Sequence, residues 1–576
     1  MLQFRHLPLA WVLPGFLLLV GALPAAAQSS WDWVTMPVGR SSSYAMASTV
    51  DAQGNTIVGG YYSADSSAAS LDFGNGVTLP AIGGAAFLAK YDVGGACSWA
   101  IRLEGGANAQ SPVIRRVTTD AAGNVLVTGV CPDSTRFGAQ LLRFPTANPT
   151  RERQGFVGKL SAAGTWQWVK GLRDTYIGAD GVEPTLLAPD AQGNLYVAGT
   201  FYDTLRVDNL RLPAGRWRSA FGAFVARFDS AGRCQWARSP QGWCSVADLT
   251  DLKVDAAGDA YLVGVIDHLA VFGTDSLWGR MVSGGAGPGP SVPWSAPADA
   301  FVARLNAAGQ WRGAYDLGTG GSARLTFGAN GVNYVAGDFY EPYEHVFTSA
   351  TGVDTLLGSG SYVARLGAQG QRLALRTTDK VGLVAVEPDG TIYLAGFSQD
   401  SLAFGAYTLP ARPERAFYVA GLSPTNQWFG VAEVTNPAVV PGWYPPTYPV
   451  DLHVRGATVY VSGNHLGTAN FGPVVLTSPG APAAPRGEFF VARLNTAPLG
   501  LPQAAAGAPL TLWPNPAHGF VQVATSTGGL VQVQDAIGRV VHTTHLAPGT
   551  SHLRLPLPPG LYTFRCGAAT RKLVVQ

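Results

Sequence analysis

Short apolar runs, each closed by Asp, Gly or Asn, repeat along most of this chain. Leu195-Tyr196-Val197-Ala198-Gly199-Thr200-Phe201, entered through Asp190-Ala191-Gln192-Gly193-Asn194, is one of them. DAQGNTIVGGYY (51–62), DAAGNVLVTGVC (120–131), DAAGDAYLVGVI (255–266) and PDGTIYLAGF (388–397) are others. Runs of this length between turn residues predict half-buried strands rather than helices. The entering phrase reads as a hairpin corner, because Asp can hydrogen-bond its own backbone and Gly accepts positive φ.

Three further phrases travel with it. An apolar run precedes the corner (VIRRVTT, DLKV, VAVE). A strand of the FVARL type follows, from FLAKY at 87–91 to FVARL at 490–494. After an AAG-like turn comes a Trp strand: CSWAIRL, WQWVKGL, CQWARS, QWRGAYDL and QWFGVAEV. An FG…L-like phrase (LDFGNGVTL, TRFGAQLL, LAFGAYTL) lies between the second and third strands and is read as connection. The Gly that ends the second strand falls at Gly60, Gly129, Gly199, Gly264, Gly337, Gly396 and Gly463, which makes seven units. Tandem four-stranded units at this period predict an all-β chain folded as a seven-bladed β-propeller. The seventh unit stops at FVARLN (490–495) with no Trp strand, whereas SSWDWV (29–34) is a Trp strand with no unit before it. The N-terminal strand is therefore expected to close the last blade, since an open array would leave two bare edges. Residues 30–495 resemble the bacterial β-propeller repeat family (SBBP-like repeats), whose unit reads D-x-x-G-N-x-Y-V-x-G-x-F, then F-V-A-K and a Trp strand. The fifth unit departs most, with GANGVNYVAGDF and no Trp strand.

The repeat ends at TAPLGLPQAAAGAP (496–509), a linker by composition. Residues 510–576 show period-two alternation between Gly and Pro turns, the pattern of a small Ig-like β-sandwich. Four motifs follow in order: Pro514-Asn515-Pro516 with Gly519, Asp535 with Gly538-Arg539, Pro559-Gly560-Leu561-Tyr562, and the closing Lys572-Leu573-Val574-Val575. This module resembles the type A C-terminal sorting domain of the type IX secretion system, with Trp513 where that family has Tyr or Phe. The resemblance implies passage across the outer membrane with the type IX machinery as partner, then removal of the module with release or cell-surface attachment.

Composition agrees with an all-β chain: 13% charged residues, 72 Gly, 40 Pro and 10% aromatics. A net charge of +2 argues against nucleic acid as a partner, which needs a concentrated basic face. Arg5 and His6, the apolar run LPLAWVLPGFLLLVGALP and Ala25-Ala26-Ala27 predict a signal peptide over 1–27, so the propeller is expected over 28–495. The expected location is extracellular or on the outer cell surface, with membrane met only through export or attachment. Five cysteines without CxxC spacing read as small buried side chains rather than a disulfide framework or zinc site.

No GxSxG, HExxH, P-loop or EF-hand pattern occurs, and no cofactor is implied. In the expected topology the tight corners share one side of the disc and the variable connections share the other, where binding is expected. Two stretches stand out there: DFYEPYEHVF (338–347) with Tyr340, Glu341, Tyr343 and Glu344, and PGWYPPTYPVD (441–451) with Trp443, Tyr444 and Tyr448. Aromatic faces beside acids suit stacking on sugar rings with hydrogen bonds to hydroxyls. The same rings would also serve simply to pack long loops onto the disc. Asp133, Asp203, Asp267 and Asp400 recur just past the second strand, either starting the next turn or forming a ring of ligand contacts. The expected function is a non-enzymatic binding or adhesion module for extracellular glycans or proteins. A polysaccharide-degrading enzyme and a purely structural surface protein are the other readings, and fold alone does not choose among them.

Overall fold

In the computed structural model the chain divides into two compact units, Met1–Ala497 and Pro498–Gln576. Residues 30–496 and 511–576 are described, except 40, 65–69, 81–83, 106–110, 145–152, 176–180, 215–221, 243–245, 267–268, 280–298, 320–322, 329–331, 340–344, 350–351, 357–358, 368–371, 379–381, 413, 438–446, 482–483, 486, 514, 526–528, 536–538, 548 and 567–568. The expected signal peptide (1–27) lies outside the described residues, as does all but the first position of the expected linker (496–509).

Sheet 1 of the larger unit joins Ser41–Val50, Thr56–Ala64, Gly84–Tyr91 and Cys97–Leu103, each antiparallel to the next. Sheets 2 to 7 repeat the plan, with first strands Val113–Thr119, Val182–Pro189, Val246–Val254, Ala323–Phe327, Gly382–Val386 and Thr447–Arg455. The fourth strand of sheet 7 is Ser30–Thr35, antiparallel to Glu488–Asn495, so the two ends of the repeat meet in one sheet. The smaller unit holds a three-stranded and a four-stranded antiparallel sheet that share one core of Val521, Val523, Val531, Val533, Phe564 and Leu573.

The repeated phrases are explained by contacts that recur from sheet to sheet. At the first corner, Asp120 Oδ1 accepts the Ala122 and Asn124 amides at 3.0 and 2.9 Å, and Gly123 sits at φ 77°. The basic residue of the FVARL strand completes this corner: Lys90 pairs with Asp51 at 2.9 Å and Lys159 with Asp120 at 2.8 Å. Arg227 and Arg304 repeat the arrangement on Asp190 and Asp259. Burial alone would raise the Asp51 and Asp120 carboxyls, but hydrogen bonds from Asn and Lys outweigh it and hold both below the usual carboxylate range. In sheets 1, 2, 3, 4 and 7 the Gly that ends the second strand faces a bulge in the first. A Cβ on Gly129 would lie 2.0 Å from the Val113 carbonyl oxygen, beside the register shift at Thr128/Gly129.

In sheets 1, 2, 3 and 7 a Trp of the fourth strand reaches across to the next sheet, whereas Trp311 of sheet 4 and Trp428 of sheet 6 pack edge-on against Phe272 and Phe404 of their own units. Trp99 Nε1 donates to Ala162 O, Trp168 to Ser230 O and Trp236 to Ala307 O, each at 3.0 Å, and Trp33 of sheet 7 donates to Val93 O of sheet 1 at 2.8 Å. Each indole lies flat on the turn it bonds. A Cβ on Gly164 would meet Trp99 at 2.9 Å, so the Gly of the AAG turn serves the neighbouring sheet. The fourth strand of sheet 5 has no Trp, and there Arg376 makes the cross-sheet contact with bonds to Ser423 O and Asn426 Oδ1 of sheet 6.

The FG…L phrase, read from sequence as connection, is a hairpin. Thr135–Phe137 pairs with Gln140–Leu142, and Thr204–Val207 with Leu210–Pro213. Two of these hairpins reach back to the previous sheet: Thr204–Val207 pairs with Trp166–Asp174 of sheet 2, and Thr468–Phe471 with Trp428–Thr435 of sheet 6. Thr135–Phe137 with Gln140–Leu142, and Leu402–Phe404 with Tyr407–Leu409, are two-stranded sheets of their own. Sequence patterning missed these strands because their residues alternate over only three or four positions.

The core lies between sheets. Seven buried clusters each join two neighbours, from Ile57, Leu88, Ile114 and Val127 between sheets 1 and 2 to Val58, Phe87, Phe489 and Val491 between sheets 7 and 1. Trp31 of the N-terminal strand is 5% exposed and packs edge-on against Phe471 at 5.2 Å between sheets 6 and 7. Its Nε1 is buried without a partner. Trp31→Ala is expected to lower stability by about 3–5 kcal/mol. Trp31→Phe is expected to cost far less, because the orphaned N–H disappears while the ring stays. Urea unfolding of the two variants checks the difference.

Candidate functional site

All seven first strands line one cavity of about 290 Å³. It takes residues from the half of each strand next to the corners, including Ser48, Arg116, Leu186, Lys253, Arg324, Val384 and Asp451. Sheets 3 and 6 contribute apolar walls of Leu186, Leu187, Val384 and Val386, while sheets 2, 4, 5 and 7 supply charge. An open depression lined by Val50, His453, Val454, Arg455 and Gly456 shares His453 and Val454 with it at the corner end. The cavity therefore approaches the surface on the side of the tight corners.

Asp451 is the centre of its electrostatics and is 2% exposed. Its carboxylate lies 3.3 Å from Arg324 Nη1 of sheet 5, 3.7 Å from Arg116 Nη1 of sheet 2 and 3.6 Å from His453 Nε2. The Ser48 amide donates to Asp451 Oδ2 at 3.3 Å. Burial by itself would raise this carboxyl, but His453, Arg324 and Arg116 outweigh it and hold Asp451 well below the usual carboxylate range. Burial would likewise lower the Arg324 guanidinium, and Asp451 and Asp251 reverse this. Asp251 accepts the Leu252 and Leu325 amides at 2.9 and 2.8 Å and lies 3.6 Å from Lys253.

A serine, a histidine and an aspartate meet here, yet not as a nucleophilic triad. Ser48 Oγ lies 3.1 Å from His453 Nε2, the same nitrogen that faces Asp451. In a triad the carboxylate holds the opposite ring nitrogen, so that Nε2 is free to take the hydroxyl proton. Ser48 Oγ also accepts a bond from Ser462 Oγ at 2.9 Å. Thiol chemistry is disfavoured as well: burial pushes the Cys97 and Cys234 thiols up to about 12, so both stay protonated at neutral pH. Cys97, Cys131, Cys234 and Cys566 are unpaired, and Cys244 lies outside the described residues. Among the described residues no group of three His, Cys, Asp or Glu could hold a metal ion.

Of the seven sugar-contact candidates, Tyr340, Glu341, Tyr343, Glu344, Trp443 and Tyr444 lie outside the described residues. Tyr448 is half-buried, and its hydroxyl accepts from Asn464 Nδ2 at 3.2 Å. Asn464 also bonds the Ala45 amide and carbonyl, which makes Tyr448 part of the joint between sheets 7 and 1. Asp133 caps its own loop through the Phe144 amide, and Asp203 accepts from Thr175 Oγ1 at 2.6 Å, while Asp267 is outside the described residues. The cavity residues were missed from sequence because they carry no motif. Arg116, Lys253, Arg324 and Asp451 sit within apolar first strands and differ from unit to unit.

In the smaller unit the residues of the four C-terminal motifs bond to other parts of the same module. Asn515 Oδ1 accepts the Val574 amide at 2.8 Å and its Nδ2 donates to Lys572 O at 2.9 Å, so this side chain pairs with the last strand. Gly519 adopts φ 72° and its carbonyl accepts the Leu555 amide. Arg539 donates from N and Nε to Asp535, and Tyr562 OH donates to Pro558 O at 2.8 Å. Pro516 directly follows Asn515, and Gly560 opens the strand Gly560–Cys566. The Lys572 side chain is exposed, and Pro514 and Gly538 lie outside the described residues.

No family model matches the chain, and no curated protein matches it. Among solved structures it is similar to the polysaccharide lyase Uly1, at 10% identity over 78% of this chain and 90% of that one, with a TM-score of 0.38. A protein of unknown function from Dyadobacter fermentans gives 10% identity over 82% and 99%, with a TM-score of 0.35. PorZ, a bacterial surface component of the type IX secretion system of Porphyromonas gingivalis, gives 10% over 94% and 99%, with a TM-score of 0.14. Likenesses at these scores carry no argument about fold or activity.

Asp451 couples the cavity to acid stability. Its carboxyl is depressed in the folded chain, so the stabilisation is present above the unfolded value of about 3.9 and is lost as pH falls below it. Asp451→Asn is expected to cost at least about 2 kcal/mol at pH 7, less than a fully buried pair because both guanidinium side chains are partly exposed. Unfolding midpoints of wild type and variant between pH 2 and 7 should converge toward the acid end.

Proposed function

We propose that the larger unit is a seven-bladed β-propeller closed by its N-terminal strand, acting outside the cell as a non-enzymatic binding or adhesion module for a glycan or protein. The smaller unit is then an Ig-like type IX sorting domain, and the chain reaches the surface or the medium through a signal peptide and that machinery. The observation that carries the binding reading is the cavity to which every first strand contributes, with a charged centre in which Ser48 and Asp451 meet the same nitrogen of His453. Cyclic contact supports the propeller reading, since the first strand of sheet 1 touches those of sheets 2 and 7. The motif-by-motif contacts of Asn515, Asp535, Arg539 and Tyr562 suit a module whose motifs secure its own fold. Tyr340, Glu341, Tyr343, Glu344, Trp443 and Tyr444 remain the proposed contacts for larger ligands on the loop side.

The reading is tested with the chain from Gln28 to Gln576 against a panel of polysaccharides, oligosaccharides and extracellular proteins. Saturable binding without product release is expected, with any loop-side contribution lost in Trp443→Ala or Tyr343→Ala. Release of reducing ends or unsaturated sugars in the same samples would make the protein an enzyme instead. Absence of binding across the panel would leave a structural surface protein.

A further inference from the structure

Three fixed cations face the cavity against two carboxylates. Arg116 and Arg324 both turn to Asp451, and Lys253 turns to Asp251, which already accepts two backbone amides. Among the described lining residues the fixed charges thus sum to one net positive, His453 left aside. Asp338 adds a negative field at Arg324 from outside the lining. Hydrogen-bond donors are available as well. A guanidinium offers five N–H groups, and Asp451 takes a single hydrogen bond from Arg324. The Arg116 and Arg324 side chains are 24% and 36% exposed although both belong to the cavity wall. A recessed site whose lining carries a net positive charge and spare planar donors is suited to an oxyanion. At about 290 Å³ the cavity lies at the small end of ligand sites. That volume suits about one sugar ring. The hydroxyl-bearing residues Thr118 and Thr326 share the wall with the two arginines, and apolar Leu186 and Val384 line it from the next sheets.

We infer that the cavity binds one acidic sugar unit, free or at the end of a chain, with its carboxylate or sulfate between Arg116 and Arg324. This rests on the binding reading above and names its ligand class. Arg116 and Arg324 hold the anionic group, Lys253 supplies the remaining positive field, and the hydroxyls of the ring meet the threonines.

Isothermal titration of the Gln28–Gln576 chain with glucuronate, galacturonate, glucose 6-sulfate, glucose and inorganic sulfate tests it. The acidic sugars are expected to bind at least tenfold more tightly than glucose and than sulfate alone, and to weaken as salt rises. Arg324→Gln should reduce acidic-sugar affinity at least tenfold. Because that change leaves Asp451 short of a partner, Lys253→Met provides a second variant at a side chain that is 46% exposed; it should keep the wild-type unfolding midpoint and weaken acidic sugars several-fold. Equal binding of glucose and glucuronate, equal binding of inorganic sulfate and glucuronate, or a Lys253→Met variant indistinguishable from wild type would each overturn the inference. If a neutral glycan or a protein binds while all acidic sugars fail, the binding reading stands and this ligand class falls. If nothing in either panel binds, both fall.

Discussion

Every sheet of the larger unit buries both of its faces against other sheets, and the rest of the structure follows from that constraint. A sheet with two apolar faces has no place at the outside of a stack, so an open row would leave its two end sheets wet on one side. The clusters between sheets 6 and 7 and between sheets 7 and 1 are as fully buried as those between sheets 2 and 3. The N-terminal strand is what permits this, since Trp31 fills the sixth interface while its strand supplies the outer edge of sheet 7.

Polar contacts then fix the angle at which neighbours meet. The Trp of one sheet rests on the Gly turn of the next and bonds its carbonyl, and the second-strand Tyr does the same at the first corner, where Tyr196 OH donates to Gly258 O at 2.7 Å. The hairpins add backbone pairing between adjacent units. Such contacts are short-ranged and identical in kind, which is why the phrases encoding them recur almost unchanged. The cavity is under the opposite constraint. Its residues touch no repeated partner, so each unit is free to place a different side chain on the shared first-strand position.

Asp451 shows how such a site is made tolerable. A carboxylate this deeply buried is stable only among cations, and Arg116 and Arg324 reach it from sheets 2 and 5. The same groups that stabilise the wall give the cavity its positive excess. The smaller unit solves a different problem: Asn515 takes the place of a strand beside Ala569–Val575 and satisfies backbone groups at the sheet edge.

Local patterning determined the strands, the corners and the number of units. The period-two runs, the Asp and Gly of each corner and the Trp strands depend on neighbours a few residues away or on a unit that repeats, and both are written in order along the chain. The missing Trp strand of the seventh unit and the stray one at SSWDWV even pointed to their union. Tertiary structure alone decided the cavity. Arg116, Arg324 and Asp451 are separated by more than a hundred positions from one another, and each by itself looks like a solvated charge in an apolar strand. Only the convergence of seven first strands desolvates them together. The short hairpins were hidden for another reason: three or four residues carry too little alternation to be read, and two of them gain further pairing from the outer strand of the preceding sheet.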